Sequence, residues 1–268
     1  MKIGLLAKTE KIGSEDVVAR ICSFLTDLGY ETIRFSSQEE VEGVDVAIIL
    51  GGDGAILHAS VALAQKSIKI IGINYGTLGF LTEYERDETE KVRELLSLLE
   101  KKLCRIVKRS LLQLNIGEKT YYALNEIAIQ RDNSLASNAS TQILSVEFTA
   151  KEGSEIISGD GVLICTPTGS TAYSLSAGGA ILTPEVPVFM MTPICAFSMR
   201  ARPIVFSDED EFAIKIKRGK AIVLLDGKVV AELSKNTEIY VKKASFTADF
   251  PVKDGSAFFA RIKSKLNG

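Results

Sequence analysis

The sequence predicts an α/β N-terminal domain with a Rossmann-like parallel sheet, followed by a β-rich C-terminal domain. Three observations predict it. Up to about residue 102, buried apolar runs alternate with stretches of helical spacing. Beyond that point, short apolar runs sit between turn residues. A glycine-rich turn, Gly51-Gly52-Asp53-Gly54, lies directly between an apolar run and a helical stretch.

Residues 2–7 read as a first buried strand. Residues 14–28 place Val17, Val18, Ile21, Phe24, Leu25 and Leu28 at helical spacing, and Gly29 is a natural stop. Strands are predicted at 31–35, 44–50 and 68–73, with a helix at 55–65 between the last two. A helix at 87–101 opens with Asp87-x-x-Glu90, a capping-box pattern. Alternating strands and helices imply right-handed βαβ units. Strands then follow at 110–116, 120–129, 143–149 and 161–165. Residues 211–217, 221–225 and 228–233 read as a meander turning at Arg218-Gly219 and Asp226-Gly227, and 238–241 adds a strand. The polar segment 133–140 reads as a mobile loop. The domain expectation is 1–102, 103–250, and a last segment, 251–268, returning to the first domain.

Composition narrows the function classes. With 32 Lys plus Arg against 34 Asp plus Glu, the net charge of −2 gives no bulk reason to bind nucleic acid or an anionic membrane. The N-terminal apolar run is too short for a signal peptide. The uncharged stretch 161–184 is too rich in Thr, Ser and Gly to be a membrane span. The four cysteines lie far apart without a CxxC pair, which suits a reducing cytosol and a cytoplasmic protein. A single histidine, His58, leaves little room for His-based metal sites.

The GGDG turn stands where doubly wound sheets bind ligands. Glycines let backbone amides approach a phosphate, and the following helix contributes its positive dipole end. There is no GxxxxGK[ST] loop and no GxGxxG after a strand, so neither a P-loop enzyme nor an ordinary dehydrogenase is indicated. Asp53 has two readings from the residues alone. It is the N-cap of a tight strand-to-helix turn, or it takes a proton from an attacking hydroxyl or holds Mg²⁺ in a phosphotransfer site.

A second signal runs from Thr166 to Gly179, TPTGSTAYSLSAGG. Small residues allow close backbone approach, hydroxyls bond ribose or amide edges, and Tyr173 can stack on a base. Ser158-Gly159-Asp160-Gly161 puts a lone carboxylate just before it. The bland alternative is a Gly/Ser loop feeding a helix.

In order along the chain stand Gly51–Gly54, Asn74-Tyr75-Gly76-Thr77-Leu78-Gly79-Phe80-Leu81, Asn125-Glu126, the Thr166–Gly179 element, Ala201-Arg202-Pro203 and Phe258-Phe259-Ala260-Arg261. Together they resemble the NAD kinase family, ATP- or polyphosphate-dependent enzymes that make NADP. GGDG by itself is shared with 6-phosphofructokinases and lipid kinases; the long hydroxyl-rich element after the Asn-Glu pair is the specific part.

The resemblance implies an NAD kinase-like fold and an enzyme with NAD and ATP (or polyphosphate) as substrates and Mg²⁺ accompanying the donor. It implies Asp53 as general base and Gly54 in the cofactor site. Asn125 and Glu126 match the pair holding the adenosine part of NAD. Thr171, Ala172, Tyr173 and Ser176 match the segment touching adenine and the nicotinamide side. Asp160 matches a carboxylate at the nicotinamide portion, Phe80 an aromatic beside the substrate, and Asp226 an acidic turn residue near the ribose. His58 matches the place of basic residues facing the phosphates, and Cys195 a position reached from a neighbouring subunit. A homo-oligomer, a dimer or a tetramer built from dimers, is implied, with the apolar run 186–199 as a buried strand pair or an interface.

The chain departs from the family at Ser158, where some members have Arg, and at Lys228, where many have Gln; it also has no Trp. Residue by residue, blander readings stand beside these roles. Asn125-Glu126 fits an exposed strand end, Asp226-Gly227 a simple hairpin turn, His58 a solvent-facing helix position, and Phe80 a core position. Two rival functions remain at this point: a GGDG kinase for a lipid or sugar, and a non-catalytic NAD-sensing module that needs no general base.

Overall fold

The computed structural model describes residues 1–7, 15–76, 79–132, 143–252 and 258–266. The predicted loop at 133–140, and Thr77-Leu78 of the Asn74–Leu81 motif, lie outside the described residues. The chain divides into two compact units, Met1–Lys108 with Ala248–Gly268, and Arg109–Thr247.

The first unit holds a five-stranded parallel sheet in the order β2-β1-β3-β4-β5. Its strands are β1 (Lys2–Ala7), β2 (Glu31–Phe35), β3 (Val46–Leu50), β4 (Lys69–Asn74) and β5 (Tyr84–Glu85). All five residues of β3 are buried, as expected for a strand covered on both faces. Helix α1 (Glu15–Asp27) buries Val17, Val18, Ile21 and Leu25, the stripe its spacing predicts. Helix α2 (Asp53–Gln65) buries Ile56, Ala59, Leu63 and Ala64. From the β1/β3 junction, α1 leads outward to β2 and α2 outward to β4. Right-handed crossovers therefore put the two helices on opposite faces, and β1/β3 is the switch point of the sheet.

Two helix starts differ from expectation. The predicted helix 55–65 begins at Asp53, with Gly52 as its N-cap. The predicted helix 87–101 is a 3₁₀ turn, Arg86–Lys91, followed by α3 (Val92–Glu100). Its capping box belongs to Glu85 and Glu88, not Asp87 and Glu90, with the Glu85 N–H donating to Glu88 at 3.2 Å. The short strand β5, pairing Ile73 with Tyr84, delivers the chain to that cap. The C-terminal helix α5 spans Phe258–Leu266 and also belongs to the first unit.

The second unit is built of two six-stranded sheets. One runs β10-β9-β14-β17-β6-β7, with β6 (Arg105–Ile116), β7 (Lys119–Ala123), β9 (Leu144–Ala150), β10 (Gly153–Gly159), β14 (Phe212–Arg218) and β17 (Glu238–Val252). The other runs β13-β12-β11-β8-β15-β16, with β8 (Glu126–Arg131), β11 (Gly161–Cys165), β12 (Val188–Ile194), β13 (Ile204–Ser207), β15 (Ala221–Leu225) and β16 (Lys228–Leu233). One core joins them, with Leu112, Val146, Phe148, Phe212 and Ile239 from the first sheet and Ile127, Ile164, Phe189 and Val223 from the second. Ring contacts between Phe148, Phe206 and Phe212 at 5.2–5.7 Å lie in it. The neighbouring pairs β8/β11, β11/β12, β9/β14 and β15/β16 are antiparallel.

Two strand expectations fail for one reason: the chain changes sheets where the local pattern reads as one continuing strand or as a tight turn within one sheet. The predicted strand 120–129 is two strands, β7 and β8, in different sheets, broken at Leu124-Asn125. The predicted meander 211–233 is only the hairpin β15/β16, because β14 pairs with β9 and β17 in the other sheet. The apolar run 186–199 divides likewise: β12 is buried, whereas Phe197 and Met199 are 81% and 86% exposed.

Candidate active site

The sequence-predicted residues fall into two groups, one in each unit. In the first, β3 ends at Leu50 and α2 starts at Asp53, so the GGDG turn caps the switch-point strand. Asp53 is not the N-cap. Gly52 takes that place without a side-chain bond, and the Asp53 carboxylate is used elsewhere. Its Oδ2 accepts the Phe80 N–H at 2.7 Å, and its Oδ1 accepts the Leu81 N–H at 2.9 Å. A Cβ at Gly79 would stand 2.3 Å from Asp53 Oδ1, so only glycine lets this segment approach so closely.

Beside the turn lies a cavity of about 340 Å³, lined among others by Leu6, Leu50, Gly52, Gly54, His58 and Tyr75. Leu6 and Leu50 come from β1 and β3, which places the cavity at the switch point. Gly54 and His58 are exposed there, next to the amide-rich N-terminus of α2. Phe80 is half-buried and its ring lies 6.3 Å from that of Phe258. The buried Asn74 joins β4 to β5: its Nδ2 donates to Glu85 at 2.8 Å, and its Oδ1 accepts the Gly76 N–H at 3.0 Å.

The second group is organised by Asp226. It stands in the β15–β16 turn at φ 47°, a conformation favouring Asp, Asn and Gly. Its carboxylate accepts the backbone N–H groups of Leu124, Asn125 and Glu126 at 2.9, 2.8 and 3.0 Å. Asp226 is thus more than a hairpin turn. It stabilises the bend that ends β7 and aims Asn125 and Glu126.

Glu126 is 6% exposed, which overturns the exposed strand-end reading. Its Oε2 has no hydrogen-bond partner, while the Tyr173 N–H donates to the carboxylate. Burial, with the Asp226 charge second, pushes Glu126 up to about 7. Burial also raises Asp226, against the pull of its three amides. A buried carboxylate oxygen without a donor costs free energy that a hydroxyl or amino group reaching it would offset.

The Thr166–Gly179 element covers the outer face of the β8/β11/β12 sheet. A small cluster of Ala128, Leu163, Cys165, Met190 and Ile194 is packed there by Tyr173, Ala177 and Leu182. Thr166 Oγ1 donates to the Leu124 carbonyl at 2.6 Å and accepts the Gly169 N–H at 3.2 Å. A Cβ at Gly169 would lie 2.1 Å from the Asn125 carbonyl oxygen, so the loop closes on Asn125 only through glycine. Thr171 ends a 3₁₀ turn, its hydroxyl donating to the Thr168 carbonyl at 3.3 Å. Ala172 caps helix α4 (Tyr173–Ser176), and Ser176 is exposed at its end.

Around the Tyr173 side chain the structure gathers Gln130, Asp160 and Cys195. The Gln130 amide donates to the Tyr173 hydroxyl. Asp160, half-buried, pairs with Arg131 at 3.1 Å. Cys195 is exposed at φ 44°, adjoining Gly159, and the Asp160 N–H donates to the Ile194 carbonyl at 3.0 Å. Ser158 turns to the neighbouring strand, 2.8 Å from the Ser145 hydroxyl.

Gln130 and Arg131 were not singled out from the sequence, and Asn74, Gly79 and Arg261 stood there only as members of motifs, with no role of their own. A signal existed for Gln130: in Glu126-Ile-Ala-Ile-Gln130, the two isoleucines face the core and Glu126, Ala128 and Gln130 share the opposite face. Arg131 carries none, and the contacts of Gly79 and Arg261 join segments far apart in sequence, which no local pattern shows.

The ATP-NAD kinase N-terminal domain model matches residues 7–103, and the ATP-NAD kinase C-terminal domain model matches residues 124–251. The NAD kinase of Methanothermobacter thermautotrophicus is 33% identical, covering 99% of this chain and 96% of its own. That of Lachnoclostridium phytofermentans is 33% identical, covering 99% and 98%. The crystal structure of an NAD kinase from Archaeoglobus fulgidus in complex with ATP aligns at a TM-score of 0.80 and 28% identity, over 98% of this chain and 99% of that one. Yeast NADH kinase complexed with NADH has the same fold at a TM-score of 0.83 and 22% identity, over 100% and 88%. With both domain models matched in order and relatives aligned end to end, the chain belongs to the NAD kinase family.

Proposed function

We propose that this chain transfers a phosphoryl group from ATP to the 2′-hydroxyl of the adenosine ribose of NAD, giving NADP. The observation that carries the reading is the Asp53 carboxylate, oriented by two backbone amides at the end of the switch-point strand. Phosphoryl transfer needs alignment, charge neutralisation and a proton acceptor. Asp53 supplies the last, since a ribose hydroxyl attacks only as its proton leaves. Gly54, His58 and the α2 N-terminus receive donor phosphates, and Phe80 packs beside the substrate. Glu126 Oε2 and Asn125 take polar groups of the adenosine, with Asp226 holding them in place. Thr171, Ala172, Tyr173 and Ser176 line the dinucleotide, and Asp160, Ser158 and Cys195 lie toward its nicotinamide end.

Among the described residues no group of three His, Cys, Asp or Glu could hold a metal ion. A protein-only cage is thus not the fit; Mg²⁺ fits as an ion carried by the donor's phosphates, whose charge it neutralises when bound. Polyphosphate is kept as an alternative donor on the same amide-rich turn. Among the described residues no helix is long and apolar enough to cross a membrane, and a cytoplasmic site of action is proposed. A homo-oligomer, dimer or tetramer, is proposed too, supported by the 81% and 86% exposure of Phe197 and Met199 beyond β12. Light scattering reporting only the 29.1 kDa monomer at micromolar concentration would remove it.

Incubation with NAD, Mg²⁺ and either ATP or polyphosphate, with NADP read by a coupled dehydrogenase, tests the activity. NADP formation with at least one donor is expected. Tight NAD binding without NADP from either donor would favour the sensing module.

A further inference from the structure

Helix α5 reaches the segment that grips Asp53 through Arg261 and Phe258. Arg261 Nη1 donates to the Phe80 carbonyl at 3.3 Å, and its Nη2 donates to the Glu83 carboxylate at 3.2 Å. Glu83 is tied to the sheet in turn, its N–H donating to the Gly72 carbonyl in β4 at 2.9 Å. Both side chains are largely buried, at 20% and 15% exposure, so this is not a solvated surface pair. Phe258, one helical turn before Arg261, sets its ring against Phe80.

The peptide joining Phe80 to Leu81 is a single plane. Its oxygen accepts from Arg261 and its N–H donates to Asp53 Oδ1 at 2.9 Å. Turning this plane would break both bonds together. A cation on the carbonyl oxygen also polarises the same peptide, strengthening the N–H that grips the carboxylate.

We propose that Arg261 is a positioning residue for Asp53, fixing the Phe80-Leu81 peptide so that the carboxylate keeps the direction needed to accept the ribose proton. The inference rests on Asp53 being the general base. It assigns the C-terminal helix a part in turnover rather than in packing alone. Arginine suits the task because its planar fork spans two acceptors at once, whereas lysine offers one point charge.

The test is a double-mutant cycle on the full chain, with kcat and KM for NAD read in the coupled assay. Arg261→Ala is expected to lower kcat about tenfold while KM for NAD stays within twofold, and millimolar guanidinium should restore part of the loss. Arg261→Lys should lower kcat by a smaller factor, and it carries the test where the alanine variant does not fold. In the Asp53→Asn background, either substitution should cost less than twofold, because the group being aimed no longer takes a proton. A purely structural role would lower kcat by the same factor in both backgrounds, and that result overturns the proposal. So does an unchanged kcat in every folded Arg261 variant while Asp53→Asn alone is impaired. Should Asp53→Asn itself keep the parent kcat, the general-base reading fails first and the inference falls with it.

Discussion

Asp226 Oδ1 accepts the Asn125 N–H at 2.8 Å across 101 positions of sequence. With the Leu124 and Glu126 amides on the same carboxylate, a hairpin turn in one strand pair dictates the bend preceding another. Asp226→Asn keeps the size but turns an N–H donor toward an N–H donor. Hydrogen bonds to charged groups are worth roughly 1.5–3 kcal/mol each. We expect calorimetric stability to fall by about 2–3 kcal/mol and the Kd for NAD to rise at least about tenfold. An unchanged NAD affinity in titration calorimetry would show that Asn125 and Glu126 are not aimed by this contact.

Glu126 links stability to pH. Its carboxyl is raised from 4.5 to about 7, so the folded chain holds a proton that the unfolded chain releases. Between those values the folded state binds more protons, and stability falls as pH rises from about 4.5 to about 7, then levels. The full span amounts to roughly 3–3.5 kcal/mol. Glu126→Gln should remove this component and be the more stable protein at pH 8. Parallel melting curves of the two proteins from pH 4.5 to 8 that keep a constant separation would contradict it.

Asp53→Asn retains the shape of the side chain but not its basicity. General-base help is typically worth about 10²–10⁴ in rate. We expect kcat to fall by about that factor with little change in NAD affinity. A parent-like kcat accompanied by a lower melting temperature would make Asp53 a purely structural brace for Phe80 and Leu81.

Gly169→Ala places a methyl 2.1 Å from the Asn125 carbonyl oxygen and 2.5 Å from its carbon. Backbone cannot step aside as a flexible side chain does. A loss of about 1–3 kcal/mol is expected, with weaker NAD binding as Asn125 is displaced. Denaturant curves superposing on those of the parent would count against the close contact.

Local pattern made much of this molecule legible. The alternation of β3, GGDG, α2 and β4 is written in four adjacent segments, and the tight hairpin of β15 and β16 is written in Asp226-Gly227. Tyr173 and Ala177 of the hydroxyl-rich element pack on the sheet face that carries Ala128 of β8, as close backbone approach by small residues allows. Less legible was the break between β7 and β8. Tyr121 to Ile129 is a near-continuous apolar run, and nothing local marks Asn125 as the point of exchange between sheets. Nor did the helix start at Asp53 follow from propensity, since two glycines precede it and a third follows.

What the sequence by itself determined is the set of elements and the chemistry they carry. Apolar periodicity selects parallel sheet or β-sandwich, and glycine, hydroxyl and carboxylate residues accumulate where backbone must approach a ligand. Only the tertiary structure decided what each carboxylate does. Asp53 could cap its own helix, but the amides of Phe80 and Leu81 claim it from 27 and 28 positions away. Asp226 could be a bare turn, but three amides about a hundred positions earlier claim it. A charged oxygen leaving water needs donors, and the nearest in space outweigh the nearest in sequence.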